Sequence, residues 1–186
     1  RCFLRLGTTV SANLANKNVV DAWRERRSLR RYSAADGIIV PSTGAADDLA
    51  RTAGLVRDRI HVLPYPIITS DMLERSCLDG PAPHPWLAGD ADLPVVLACG
   101  SLTPRKDYAT LIQSFAALQD RCASRLIILG RGDQLSRLAG LAESLGIGDR
   151  VEFPGFVEDP LPWMRRASVF AHTSRWEGLG IVLVEA

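Results

Sequence analysis

Val95-Val96-Leu97-Ala98-Cys99 is apolar at five successive positions and runs directly into Gly100-Ser101-Leu102-Thr103-Pro104-Arg105-Lys106-Asp107. A strand with apolar side chains on both faces must be covered on both faces, as in a parallel sheet between two layers of helices. Asp107 is a residue type that caps helices, and after it Leu111, Ile112, Phe115 and Leu118 recur on one helical face. Leu126-Ile127-Ile128-Leu129 predicts the next strand, and Leu135, Leu138, Leu141, Ala142 and Leu145 stripe a helix that runs up to Gly146. Val151-Glu152-Phe153 and Ser168-Val169-Phe170-Ala171 predict two more short strands, with a helical turn around Trp163 between them. Strands alternating with helices of this length imply βαβ units, hence an α/β fold with a doubly wound parallel sheet.

Upstream, the alternation continues in shorter pieces. Residues 17–31 predict a basic helix, Gly37-Ile38-Ile39-Val40 a strand closed by Pro41, residues 45–53 a helix stopped by Gly54, and Ile60-His61-Val62-Leu63 a strand closed by Pro64. From Pro64 to Pro94 no period persists and prolines punctuate the chain, which reads as a connector with one short helix near Met72. The expected division is residues 1–66, the tail of a first domain; 67–93, a linker; and 94–186, a second domain. Both ends read as cut, since Arg1 is not a start methionine and Ala186 stops the chain where a helix has barely begun.

The 186 residues are 47% hydrophobic and 23% charged, enough apolar content for a folded core and against a disordered tail. A net charge of +1 offers no global basic field for nucleic acid. The charge is unevenly placed: residues 1–35 hold eight Lys and Arg against Asp21 and Glu25, a net +6 that leaves −5 for the rest. Cys2, Cys77, Cys99 and Cys122 lie far apart with no C-x-x-C spacing, which suits a reducing cytoplasm. His61, His84 and His172 are equally scattered, so no metal site is expected. No apolar run approaches the roughly 20 residues that cross a bilayer.

Ligands of doubly wound sheets bind at the carboxyl ends of the strands. The first strand-end loop brings Arg105 and Lys106 to a helix start, where cations and backbone N–H groups suit phosphate; solvated surface charges are the plainer alternative. The second, Gly130-Arg131-Gly132, matches two glycines of a dinucleotide fingerprint, with Leu135 where a third small residue belongs. A tight turn needing glycine backbone explains that pair nearly as well. The third runs from Pro154 to Asp159, and in the fourth, Glu177-Gly178-Leu179-Gly180 leads into a helix that carries Glu185. Backbone N–H groups of Gly178 and Gly180 suit an anion, and the bracketing carboxylates suit the hydroxyls of a sugar and a ribose; exposed acids of no special role are the alternative.

These signals, in this order, resemble glycosyltransferase family 4, retaining enzymes of the GT-B fold with two Rossmann-like domains. The resemblance runs from Asp36 to Ala186. The 94–186 segment is then the donor nucleotide-sugar-binding domain and 1–66 the end of the acceptor-side domain. Gly100 to Asp107 is similar to the family's donor-phosphate loop, which implies that Lys106 binds the diphosphate, with Gly100, Ser101 and Arg105 around it. Where many members have arginine after that glycine this chain has Ser101, so Arg105 is left as the second cation. Gly130 and Gly132 resemble the turn after the next strand. Val151 to Val157 resembles the segment whose backbone meets the nucleobase, which places Phe156 and Val157 in the donor site. Ser174 to Ala186 resembles the E-x7-E signature: Glu177 holds donor-sugar hydroxyls, Gly178, Leu179 and Gly180 follow, and Glu185 holds the ribose. Catalysis then falls to Glu177 and Lys106.

The resemblance implies transfer of a hexose from a nucleoside-diphosphate sugar to a glycan or lipid-linked acceptor in polysaccharide biosynthesis, with no metal and no separate cofactor. Peripheral contact with an anionic membrane is a further expectation, carried by the basic residues 24–31. With so little of the first domain present, the segment alone is expected to be inactive. An NAD-dependent oxidoreductase built on Gly130 and Gly132 is one alternative, weakened because the acid some twenty residues on, Glu152, lies within a strand. A non-catalytic nucleotide-sugar-binding module is the other.

Overall fold

The computed structural model describes residues 2–77, 80–88 and 93–186. The chain forms two compact units: Arg1–Pro66 together with Trp176–Gly180, and Ile67–Arg175 together with Ile181–Ala186. Each is a parallel α/β assembly.

The first unit contains β1 (Phe3–Arg5), α1 (Val10–Ala15), α2 (Val19–Leu29), β2 (Gly37–Val40), α3 (Thr43–Ala53) and β3 (Ile60–Val62). The strands pair in the order β1-β2-β3, all parallel, with Ile38 between Leu4 and Ile60. The expected helix over 17–31 begins only at Val19, because Asn18 takes the N-cap position and accepts from the Asp21 N–H at 2.9 Å; from Arg30 the chain tightens into a 3-10 turn. Strand β1 and helix α1 went unread, since three residues are too short to display a period. Val10, Leu14 and Leu29 meet Ile38, Val40, Leu49 and Ile60 in one core. At its edge the buried Asp48 of α3 accepts from the Val10 N–H at 2.7 Å and the Ser11 N–H at 2.9 Å, so a neighbouring helix supplies the anion for the start of α1.

The second unit opens with α4 (Ser70–Cys77), inside the segment expected as a linker, of which residues 78–79 and 89–92 lie outside the described residues. Arg75 binds Asp159 at 3.0 Å and Arg166 donates to the Gly80 carbonyl at 2.6 Å, tying that segment to the rest of the unit. Then follow β4 (Val95–Cys99), α5 (Tyr108–Gln119), β5 (Arg125–Leu129), α6 (Leu135–Ser144), β6 (Val151–Gly155), α7 (Leu161–Arg166), β7 (Val169–Phe170) and α8 (Ile181–Glu185). The sheet runs β6-β5-β4-β7 and is parallel throughout.

Successive side chains of a strand point to opposite faces, and both faces of β4 and β5 are buried. Ala98, Leu126 and Ile128 pack with Ile112 and Phe115 of α5 and Leu138 of α6. Val95, Leu97, Ile127 and Leu129 pack on the other side with Leu87 and Trp163. The helical stripes hold at their centres and fray at their ends, where Leu118, Leu135 and Leu145 are exposed.

Replacing Asp48 by alanine leaves two N–H groups at the start of α1 without their charged acceptor. Urea unfolding of the whole protein is expected to show a loss of about 2 kcal/mol in Asp48→Ala, and an unchanged midpoint would mean that water replaces the carboxylate without cost.

Candidate functional site

In the second unit the strand order reverses beside β4, since β5 lies on one side and β7 on the other. Loops after two such strands diverge and leave a crevice at their carboxyl ends. The loop after β4 makes a 3-10 turn over Pro104–Lys106. Lys106 is only 8% exposed and lies across Gly100: a Cβ at position 100 would stand 2.8 Å from its Cε and 3.3 Å from its Nζ. Glycine at 100, with φ 150°, thus provides the space in which the lysine stem is buried. Arg105 is half-buried and Ser101 exposed on the same loop.

The loop after β5 is zipped to the loop after β4 through main chain. The Gly100 N–H donates to Leu129 O at 2.9 Å, the Leu102 N–H to Arg131 O at 2.9 Å, and the Gln134 N–H to Leu102 O at 3.2 Å. A Cβ at Gly130 would lie 2.0 Å from Gly100 O, and one at Gly132 2.3 Å from Leu102 O. Backbone contact between the loops therefore accounts for both glycines. A cavity of about 280 Å³ opens beside this zipper, lined by Cys99, Gly100, Ser101, Leu129, Gly130, Arg131, Phe156 and Val157. Its walls are mostly apolar, and the Arg131 guanidinium lies 5.9 Å from the centre of the exposed Phe156 ring.

Glu185 ends α8 in the same unit, and the fields of Glu185 and Lys106 both reach the Cys99 thiol. Burial is the main cause that pushes this thiol up, Glu185 adds to it, and Lys106 opposes. Asp107 stands at the N-cap position of α5 as expected, but with a left-handed backbone at φ 50°. Its carboxylate accepts from Arg175 Nε at 3.0 Å, and that guanidinium holds the Asp107 carboxyl below the usual range.

The remaining predicted residues belong to the first unit. Thr9 Oγ1 donates to Glu177 O at 2.7 Å and Ser42 Oγ to Gly178 O at 2.7 Å. Gly178 is buried, and a Cβ there would stand 2.3 Å from Gly7 O. Helix α8 begins only at Ile181, so Glu177, Gly178, Leu179 and Gly180 form a separate strap on the first unit. The structure thus gathers Gly100, Ser101, Arg105, Lys106, Gly130, Gly132, Phe156, Val157 and Glu185 in one unit and the four strap residues in the other. Sequence reading passed over Cys99, Arg131 and Arg175; the only signal for them was position, one beside each predicted loop residue.

Parallel α/β units with chemistry gathered at strand ends are the arrangement of GT-B glycosyltransferases. The crystal structure of Anabaena HepE in complex with UDP and glucose superposes with a TM-score of 0.76 at 22% identity, over 99% of this chain and 49% of that one. The chain belongs to the family of glycosyl transferases group 1, whose model matches residues 87–186. It is 35% identical over 114 residues to the lipopolysaccharide core biosynthesis glycosyltransferase LpsE of Rhizobium meliloti, covering 61% of this chain and 30% of that protein. It is 30% identical over 185 residues to the mannosylfructose-phosphate synthase of Agrobacterium fabrum, covering 88% and 38%. The chain spans 30% to 40% of the length of such curated relatives. No helix among the described residues is long and apolar enough to cross a membrane.

The half-buried thiol of Cys99, held protonated by its partial burial, is expected to alkylate last. Peptide mapping after timed iodoacetamide treatment at pH 8 checks this: Cys2, Cys77 and Cys122, all exposed, are labelled first. Labelling of Cys99 at their rate would mean that the cavity admits solvent freely.

Proposed function

We propose that the whole protein is a retaining, metal-independent glycosyltransferase of family 4 that transfers a hexose from a nucleoside-diphosphate sugar to a glycan or lipid-linked acceptor. The observation that carries this reading is Lys106, a buried cation over Gly100, next to an apolar cavity of about 280 Å³. In this reading the base and ribose occupy that cavity, with Phe156 and Val157 on one side and Glu185 toward the ribose. The roles follow the family resemblance: Lys106 and Arg105 bind the diphosphate, and Glu177 with Gly178–Gly180 the donor sugar. The second unit is the donor domain and the first the end of the acceptor domain.

As the diphosphate departs, negative charge grows on its oxygens, and an ammonium held in place beforehand stabilises that charge without reorganising. A buried lysine has already lost most of its rotamer freedom, so little ordering is left for the transition state. Support for the donor class comes from the UDP and glucose held by HepE. Support for the acceptor class comes from LpsE and from a Campylobacter jejuni transferase that acts on a diphospho-undecaprenol-linked sugar, 28% identical over 83% of this chain and 40% of that one.

A cytoplasmic enzyme of polysaccharide assembly with such acceptors works at a membrane face. Helix α2 suits that contact: Val19 is 86% exposed, Val20 and Trp23 are also exposed, and Arg24 and Arg27 lie beside them, the Arg27 guanidinium 5.7 Å from the Trp23 ring. Apolar and aromatic tips ringed by arginine are the chemistry of an interfacial helix.

Thermal unfolding of the whole protein with UDP, GDP, ADP and NADH tests the donor site. One nucleoside diphosphate is expected to raise the midpoint, and Lys106→Ala to abolish that rise and cut turnover roughly 10²-fold. Stabilisation by NADH alone would overturn the reading. In a liposome sedimentation assay the whole protein is expected to pellet with anionic vesicles and far less with neutral ones, and Trp23→Ala with Arg27→Ala to stay in the supernatant.

A further inference from the structure

The backbone that carries the side chain proposed for the diphosphate is held from a segment about seventy residues away. Strand β7 pairs with β4, so the residues after β7 run alongside the donor loop. Thr173 Oγ1 lies 3.0 Å from Lys106 O and 3.2 Å from Asp107 O, and donates to this pair of carbonyls. The Arg175 N–H donates to Arg105 O at 2.9 Å, and Arg175 Nε donates to Asp107 Oδ2 at 3.0 Å. Residues 105, 106 and 107 are therefore each tied to 173 or 175.

Asp107 makes this fastening consequential. It is the one non-glycine residue among those described with a positive φ, at φ 50° and ψ 43°. Side chains with a Cβ rarely adopt that conformation, Asp and Asn being the usual exceptions. The left-handed step ends the turn over Pro104–Lys106 and redirects the chain into α5, so it sets how the turn that carries Lys106 stands against α5. If Asp107 relaxed to a right-handed or extended conformation, the lysine would no longer lie across Gly100.

We propose that Arg175 is a positioning residue for Lys106, acting through Asp107. The proposal rests on the reading of Lys106 as the donor-phosphate cation. Arg175 is itself largely exposed, and its role is to keep the Asp107 carboxylate, and with it the left-handed step, in place.

Titration calorimetry of UDP, GDP and ADP into the whole protein tests this with five variants: Arg175→Ala, Arg175→Lys, Asp107→Gly, Lys106→Ala and the double variant Lys106→Ala/Arg175→Ala. Arg175→Ala is expected to weaken the bound nucleotide about threefold to fivefold, the upper part of the range of a solvent-facing ion pair. Arg175→Lys is expected to recover most of that loss. Asp107→Gly, which removes the carboxylate and leaves the backbone at 107 with no preferred hand, is expected to lose as much as Arg175→Ala, and it decides the matter if Arg175→Ala does not fold. On the Lys106→Ala background the arginine change is expected to have no further effect, because there is no lysine left to position. Wild-type affinity in both Arg175→Ala and Asp107→Gly would overturn the proposal, as would an equal loss on the Lys106→Ala background. If the unaltered protein binds none of the three nucleotides, the donor reading of Lys106 falls and takes this proposal with it, an outcome distinct from failure of the variants alone.

Discussion

A strand buried on both faces and paired on both edges meets solvent only at its ends, and β4 is such a strand. Leu97 and Ala98 are completely buried, β5 and β7 occupy its two edges, and its side chains divide between two separate cores. Chemistry in this unit is therefore confined to the carboxyl end, where Gly100 begins a loop. Placement of Lys106, the zipper to the loop after β5 and the fastening to the segment after β7 all follow from β4 having a neighbour on each side.

Space at that end is created by missing side chains. Gly100 leaves room for the Lys106 stem, while Gly130 and Gly132 leave room for the Gly100 and Leu102 carbonyls. An alanine at 130 would collide with backbone rather than with a flexible side chain, so neither loop could yield. The glycines thus serve packing first, and the cavity beside them takes its shape from that packing. Within the first unit Gly178 plays the same part against Gly7.

Polar side chains of the first unit are likewise committed to main chain. Ser42 accepts from the Ala45 N–H as the cap of α3 and donates to Gly178 O, while Asp48 serves the start of α1. These bonds hold the five-residue strap Trp176–Gly180 on the first unit. Glu177 is carried by that strap, so its position depends on Thr9 and Ser42, which stand in the loops after β1 and β2.

Much of the fold was legible because its signals are local. Apolar runs at 95–99 and 126–129, the stripe of α5 and the glycines after each strand announce parallel βαβ units within a few residues of themselves. Lys106 and Glu185 could be singled out on the same basis, as charges next to strand ends and helix starts. Tertiary structure decided what depends on strand order: β7 next to β4 brings Arg175 to Asp107, which caps α5 from a left-handed backbone, and β5 next to β4 commits Gly130 and Gly132 to contact with another loop. It also decided that Glu177 to Gly180 join the first unit while Glu185 joins the second, though only seven residues lie between the two acids. Periodicity reports which face of an element is apolar; it carries no information on which distant element covers that face, because burial rewards apolar area without regard to its partner.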